Sequence, residues 1–167
     1  MTPSCCALVW LDGTDFARYA LVPEDLLPGW TGTEVDDVIG EYVAAVRHSG
    51  RDVLALGGEP LPVTWIPGAR VFARSYYAED DSALLSALEA VVDSDGWEDV
   101  LDVELGGRYV LTDASYSGAR IADHIGNPGR VRELVRVDLP FGRYRVQSLI
   151  VGPVSENRWM LERLLAQ

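Results

Sequence analysis

Short apolar segments separated by turn-forming residues run along the whole chain, and this pattern constrains the fold more than any other feature. Each segment is rich in aliphatic or aromatic residues and ends near Gly, Pro or Asp, which interrupt regular structure. Such segments are typical of β-strands joined by turns. We predict strands at 5–11, 17–22, 52–56, 62–66, 69–78, 98–105, 108–112, 131–138 and 143–151.

The segments between these strands carry their own signals. Gly57-Gly58 and Gly106-Gly107 are each predicted to form a hairpin turn. Residues 114–130 are polar and predict a long loop. Residues 157–165 have helical propensity, but their position after Gly152-Pro153 also suits a final hairpin strand, so both alternatives stay open.

Two segments have the apolar spacing of amphipathic helices. Residues 34–47 carry apolar side chains at helical intervals from Val35 to Val46, after a capping box begun by Thr33. His48 would then complement the helix dipole at the C-terminal end. The second predicted helix covers residues 82–92. Together these elements predict an α+β fold.

We expect a mainly antiparallel sheet with both helices in an N-terminal half, residues 1–95. The C-terminal half, residues 96–167, should be a β-rich meander or small sandwich. Because the linkers are short, the two halves should pack together as one compact unit.

Acidic residues outnumber basic residues by 26 to 14, which gives a formal net charge of -12. All of the basic residues except the histidines are arginines. A surface of this charge argues against binding of nucleic acid or of an anionic membrane, and it accelerates association with a basic protein. The absence of a signal-peptide pattern, of a long apolar span and of a disulfide framework predicts a cytoplasmic protein.

The possible chemical groups have structural interpretations. Cys5 and Cys6 are adjacent and lack the spaced partners of a metal site, so they are interpreted as structural thiols. Acidic groups occur around 36–37, 79–81 and 93–99, where capping or solvation is the simpler explanation and a surface for a basic protein the alternative. No cofactor or metal is expected. Arg143 and Arg145 share one face of a strand and should pair with carboxylates.

Two other classes of function stay open on the residues alone. His124 could serve a small hydrolase as the general base, with Asp123 as its orienting acid, although no nucleophile motif accompanies them. A small-ligand or sensory module would need an apolar pocket between the two halves.

Several strings in the chain resemble the Immunity protein 21 family. They are WLDG at 10–13, VPEDLLPGWTG at 22–32, LALGGEPLPVTWIP at 54–67, VFAR at 71–74 and DLPFGRYRV at 138–146. The turn at 57–60 departs from the family pattern, as does the helical propensity of 157–165, a segment that is a strand in the family.

The resemblance implies a non-catalytic immunity protein of a bacterial polymorphic toxin system, which binds and blocks a cognate toxin. Together with the net charge, it suggests a basic toxin, such as a nuclease, steered by carboxylates and held by a few aromatic and arginine anchors. The oligomeric state is open. The candidate contact residues are Trp30, Glu34, Asp37, Glu41, Glu79, Asp80 and Asp81.

Overall fold

The computed structural model describes residues 7–12, 14, 18–38, 40–77, 80–126, 134–153 and 156–167. Its strands are β1 (Trp10–Leu11), β2 (Tyr19–Pro23), β3 (Val43–His48), β4 (Arg51–Leu56), β5 (Val63–Ile66), β6 (Val71–Ser75), β7 (Glu98–Asp113), β8 (Leu134–Val151) and β9 (Trp159–Ala166). The helical elements are α1 (Asp81–Val91), α2 (Gly118–Ile125) and the 3₁₀ helices Glu24–Gly29 and Thr33–Val38. Cys5 and Cys6 lie outside the described residues.

All of these strands belong to one antiparallel sheet, in the order β1-β5-β6-β9-β8-β7-β2-β4-β3. The predicted mainly antiparallel sheet is therefore confirmed. β7, β8 and β9 pair in chain order as a meander. Strands from both sides of residue 95 pair directly, because β2 pairs with β7 and β6 pairs with β9. The boundary between the two halves itself stays a prediction.

The predicted helix over 34–47 is wrong. A short 3₁₀ helix ends at Val38, and the remainder becomes β3, which forms a hairpin with β4. Ser49 and Gly50 both have positive φ, 49° and 80°, which is the backbone of the tight turns that join such hairpins. The valines also favour a strand, so sheet pairing overrides the helical spacing. His48 accordingly lies at the end of a strand and not at a helix C-terminus.

The predicted helix over 82–92 is confirmed as α1. The predicted loop over 114–130 is wrong in part, because Ser117 caps α2 within it by accepting a hydrogen bond from the backbone N–H of Arg120. Residues 127–130 of that loop lie outside the described residues, as do residues 131–133 of the predicted strand that follows. The open alternative at 157–165 is resolved as a strand, because β9 pairs with both β6 and β8.

Neither predicted glycine hairpin occurs. Gly57-Gly58 follows β4 and leads towards β5, and these strands are not neighbours in the sheet. Gly106-Gly107 lies within β7, which continues through it with a shift of register against β8. Leu105 pairs with Gly142 and Gly107 with Leu139, so one residue of β7 lies opposite two residues of β8. This arrangement is a β-bulge. Gly107 accommodates it because glycine has no side chain and readily adopts the positive φ found there.

One face of the sheet encloses a core to which every strand contributes, including Leu11 of β1, Val43 of β3 and Leu164 of β9. The other face is covered in two places. The 3₁₀ helices and α2 pack over β2, β4 and β7, whereas α1 packs over β5, β6 and β9. The sheet is thus curved around one interior.

A buried ion pair connects distant parts of this curved sheet. Arg74 of β6 binds Glu162 of β9, with 3.0 Å between Nε and Oε1. The same guanidinium donates to the carbonyl oxygen of Gly57, which follows β4, and to that of Tyr42, which precedes β3. Because β6 and β3 stand well apart in the strand order, Arg74 fastens the two sides of the sheet together.

Candidate partner-binding surface

Trp30 and Glu34, two of the candidate contact residues, support a loop more than they face outwards. Trp30 is only 2% exposed and packs edge-on against the ring of His48, with 5.4 Å between ring centres. Glu34 accepts hydrogen bonds from the backbone N–H groups of Thr31 and Gly32. Partial burial raises the pKa of Glu34, but these hydrogen bonds outweigh it and hold the pKa below its usual value.

The remaining acidic candidates divide between surface and structure. Asp37 and Glu41 are exposed. Asp80 caps α1 by accepting a hydrogen bond from the Ala83 backbone, at 2.9 Å. Asp81 holds the N-terminal segment, because its carboxylate accepts two hydrogen bonds from it. One comes from the indole nitrogen of Trp10, at 2.7 Å, and the other from the backbone nitrogen of Leu8, at 2.9 Å.

Glu79 lies outside the described residues. The structure places the candidate residues on two different layers of the outer face. Trp30 and Val35, from the segment that carries Glu34, pack over β2, β4 and β7, whereas α1, which begins at Asp81, packs over β5, β6 and β9. The described candidates of these two segments therefore lie on different parts of the outer face, and their role in binding stays a prediction.

The residues of the hydrolase alternative lie on α2. His124 is buried, and its ring packs edge-on near Tyr116, with 6.5 Å between ring centres. Asp123 is exposed. Since neighbouring residues of a helix project in different directions, the exposed carboxylate does not orient the buried ring in the way that a general base requires.

A different surface, which the sequence did not single out, surrounds Phe141. This side chain is 84% exposed and stands at the bulge between β7 and β8. A cavity of about 440 Å³ adjoins it on the side of Arg47 and Arg143, and another of about 410 Å³ adjoins it on the side of Arg108. We call this region the Phe141 surface; its members are Arg47, Arg51, Arg108, Tyr109, Phe141 and Arg143.

Ion pairs organise the charges of the Phe141 surface. Arg47 binds Asp52 at 2.7 Å, and the arginine side chain is 62% exposed while the aspartate is only 16% exposed. Arg143 binds Asp102 at 3.0 Å, with 64% and 28% exposed respectively. In both pairs the guanidinium lies outside its carboxylate. At these two pairs the cationic group is what an approaching molecule meets first. Elsewhere on the lining of the two cavities carboxylates are exposed as well: Asp25 is more exposed than its partner Arg51, and Glu104 is exposed.

Arg51 has a different role, since it links three elements beneath Phe141. It binds Asp25 at 2.7 Å, donates to the Gly106 carbonyl at 2.9 Å and lies 5.7 Å from the ring centre of Tyr109. These contacts fix the bulge against the β3–β4 hairpin and the first 3₁₀ helix. The surface is consequently built on regular structure that is cross-linked from several sides.

The prediction that Arg143 and Arg145 share a face and pair with carboxylates is confirmed. Arg145 binds Asp102 and Asp99, each at 3.1 Å. The hydrogen bond from Arg145, with help from Arg143, holds the pKa of Asp102 below its usual value. One sequence signal could have indicated Phe141: an aromatic residue stands between Pro140 and Gly142, in the gap between the predicted strands 131–138 and 143–151.

The described residues contain neither a metal-binding cluster nor a membrane-spanning helix. Within 7–12, 14, 18–38, 40–77, 80–126, 134–153 and 156–167 there is no grouping of three or more histidine, cysteine or acidic residues suited to a metal ion. In those same ranges no helix has the length and apolar character that crossing a membrane demands.

A family model described as Immunity protein 21 matches residues 18–157 of the chain. Neither a curated protein nor a solved structure gives a significant match. The matched range includes β2 to β8, the bulge and every member of the Phe141 surface.

Proposed function

The chain belongs to the Immunity protein 21 family, and from this premise we propose that it binds a cognate toxin domain and neutralises it without catalysing a reaction itself. The observation that carries this proposal is the family match over residues 18–157. The family indicates an immunity role against a toxin. The activity of the toxin, with a nuclease as one possibility, and the cytoplasmic site of action are parts of our proposal.

The charge of the chain supports a basic partner. A formal net charge of -12 produces a long-range attraction for cationic proteins, which raises the rate of encounter more than it raises affinity. Asp37 and Glu41 are exposed and free to act in this way, whereas Asp80 and Asp81 are engaged in capping α1 and in holding the N-terminal segment. We therefore assign steering to Asp37 and Glu41, and support of their loop to Trp30 and Glu34.

The direct test is co-expression with the toxin domain that is encoded beside this chain. Growth of cells that produce both proteins, with recovery of a complex by affinity capture, is the expected result. A toxin that remains lethal and does not associate with the chain would refute the proposal. Turnover of any substrate by the purified chain, abolished by His124→Ala, would instead favour the hydrolase alternative.

The steering assignment has its own measurement. The double variant Asp37→Asn/Glu41→Gln should lower the association rate at low salt, with a smaller effect in high salt because ions screen exposed charges. The matched control is Glu89→Gln/Asp123→Asn, which removes two exposed carboxylates elsewhere. Equal effects of the two variants would show that only the total charge matters.

A further inference from the structure

We propose that the Phe141 surface is the docking site for the toxin. Phe141 enters an apolar pocket of the toxin, and the guanidinium groups of Arg47 and Arg143 bind carboxylates on one side of the rim of that pocket. This inference rests on the proposed function, since it names the surface and the chemistry of the toxin that fits it. The partner is therefore basic overall and carries a local acidic rim.

The first support is the placement of Phe141. An aromatic side chain that is 84% exposed buries almost none of its apolar area within the chain itself. Burial of a phenylalanine side chain is among the larger single contributions to an interface. Single exposed apolar side chains are common on protein surfaces. Among the described residues, however, Phe141 is the most exposed large apolar side chain, and it stands between two cavities.

The second support is that the bulge holds Phe141 ready for contact. Its backbone and ring lie so close over Gly106 that a Cβ atom there would come within 2.4 Å of Phe141 Cα and Cδ1. Arg51 secures the Gly106 carbonyl from below at 2.9 Å. A preorganised aromatic group loses little conformational freedom on binding, which is typical of an anchor residue.

The third support is the direction of the charges around Phe141. Arg47 and Arg143 are more exposed than the aspartates that they bind. On the other side the charges are balanced, since Arg108 and its partner Asp138 are 80% and 78% exposed. Guanidinium groups form paired hydrogen bonds with carboxylates, so the rim that fits the side of Arg47 and Arg143 is acidic.

The same charges argue against a second copy of this chain as the occupant. Two copies would bring together two molecules of net charge -12. If their Phe141 surfaces faced each other, Arg47 and Arg143 of each would also approach like groups of the other. Like charges directly opposed across an interface oppose association.

The experiment compares variants of the chain in binding to the inactivated toxin domain encoded beside it, measured by surface plasmon resonance. Phe141→Ser should weaken affinity by at least about 30-fold, the effect of losing an anchor residue. Ile150→Ser is the matched control, since it removes an exposed apolar side chain from the same strand. Thermal unfolding should be nearly unchanged in both, because both side chains are exposed.

Charge reversal tests the acidic rim. Arg47→Glu should weaken binding about 10-fold, mostly through the association rate, whereas Arg120→Glu on α2 makes the same change in net charge and should have little effect. Tighter binding by Arg47→Glu would overturn the acidic rim. Sedimentation of the wild-type chain as a dimer that Phe141→Ser dissociates would overturn the assignment in favour of a second copy.

The outcomes separate this inference from the proposed function. If the wild-type chain neither binds nor neutralises the toxin, the proposed function fails. If the wild-type chain binds and protects, but Phe141→Ser binds as tightly as Ile150→Ser, only the docking surface is wrong. Loss of binding in Phe141→Ser with retained binding in Ile150→Ser supports the inference.

Discussion

Replacement of Arg74 by methionine tests whether the buried ion pair holds the curved sheet together. Arg74 and Glu162 are both fully buried. Methionine preserves much of the side-chain length but removes every donor, so Glu162 loses its partner and the Gly57 carbonyl loses the donor that Arg74 supplies. The Tyr42 carbonyl keeps a hydrogen bond from the Gly57 backbone, at 2.8 Å.

Removal of one partner of a buried ion pair leaves an uncompensated charge and typically costs about 3–5 kcal/mol of the free energy of unfolding. For a chain of this size each kcal/mol lowers Tm by roughly 2–4 °C, so we expect Arg74→Met to lower Tm by roughly 6–20 °C. The double variant Arg74→Met/Glu162→Leu removes the stranded carboxylate as well. It should be more stable than Arg74→Met, since apolar pairs often replace buried ion pairs at small cost.

The loss should also depend on pH. Burial raises the pKa of Glu162, and the charge of Arg74 opposes that rise. In Arg74→Met only the effect of burial is left, so the pKa of Glu162 in the folded state rises further above its unfolded value of about 4.3. A raised folded pKa favours folding fully below the unfolded pKa, and this contribution is lost as pH rises through the folded pKa. The difference in stability between Arg74→Met and the wild-type chain should therefore shrink towards pH 4.

Urea unfolding followed by tryptophan fluorescence from pH 4 to pH 8 would measure these differences. Arg108→Met is the matched control, because Arg108 and Asp138 form an exposed pair at 3.9 Å. It should change the free energy of unfolding by less than about 0.5 kcal/mol. If Arg74→Met were no less stable than Arg108→Met, or if the double variant were less stable than Arg74→Met at neutral pH, the reasoning about the pair would be wrong.

Three further substitutions probe the packing that supports the sheet. Gly118→Ala should destabilise the protein by about 2 kcal/mol or more in urea unfolding, because its Cβ would lie 1.5 Å from the Leu27 carbonyl oxygen, whereas Gly68→Ala, with open space around it, is the control. Asp80→Ala should cost about 1 kcal/mol through loss of the α1 cap, and Asp80→Asn should restore most of it, as circular dichroism during thermal unfolding would show. Tyr19→Phe should reduce the loss of stability above pH 10, because burial raises the pKa of the Tyr19 hydroxyl. The contribution of this hydroxyl to stability is present below its unfolded pKa and falls as the pH rises beyond that value. Equal alkaline sensitivity of the variant and the wild-type chain in unfolding experiments would contradict this.

The sequence predicted the elements whose signals are local. α1 has an apolar stripe with an acidic cap, and both features act within one helix. Most strands were predicted because alternation and bounding turn residues are also local. The helix over 34–47 failed because the spacing of its valines fits a helix, but the β3 valines pack on opposite faces of the sheet, with Val43 in one core and Val46 against the other. The decisive contacts, such as Val43 with Leu56, come from a strand further along the chain.

The glycine pairs show why connectivity was harder to predict. Two adjacent glycines allow a tight turn or a bulge equally well, because both need backbone conformations that other residues rarely adopt. At Gly106-Gly107 a bulge forms instead of a turn because β7 pairs with β8, whose residues lie more than thirty positions further along the chain. At Gly57-Gly58 the carbonyl is bound by Arg74, and that contact exists only once the sheet has curved.

The properties of the candidate site also divide into those that the sequence predicts and those that depend on the fold. Net charge is a sum over the chain, so the sequence suffices to predict how the protein acts on a partner at long range. Contact depends on which side chains stand outermost, and the exposed guanidiniums around Phe141 depend on pairs such as Arg47 with Asp52 and Arg143 with Asp102. An acidic chain can thereby hold exposed guanidinium groups, such as those of Arg47 and Arg143, outside the carboxylates that pair with them. In our proposal steering and docking depend on different residues, and composition predicts only the steering.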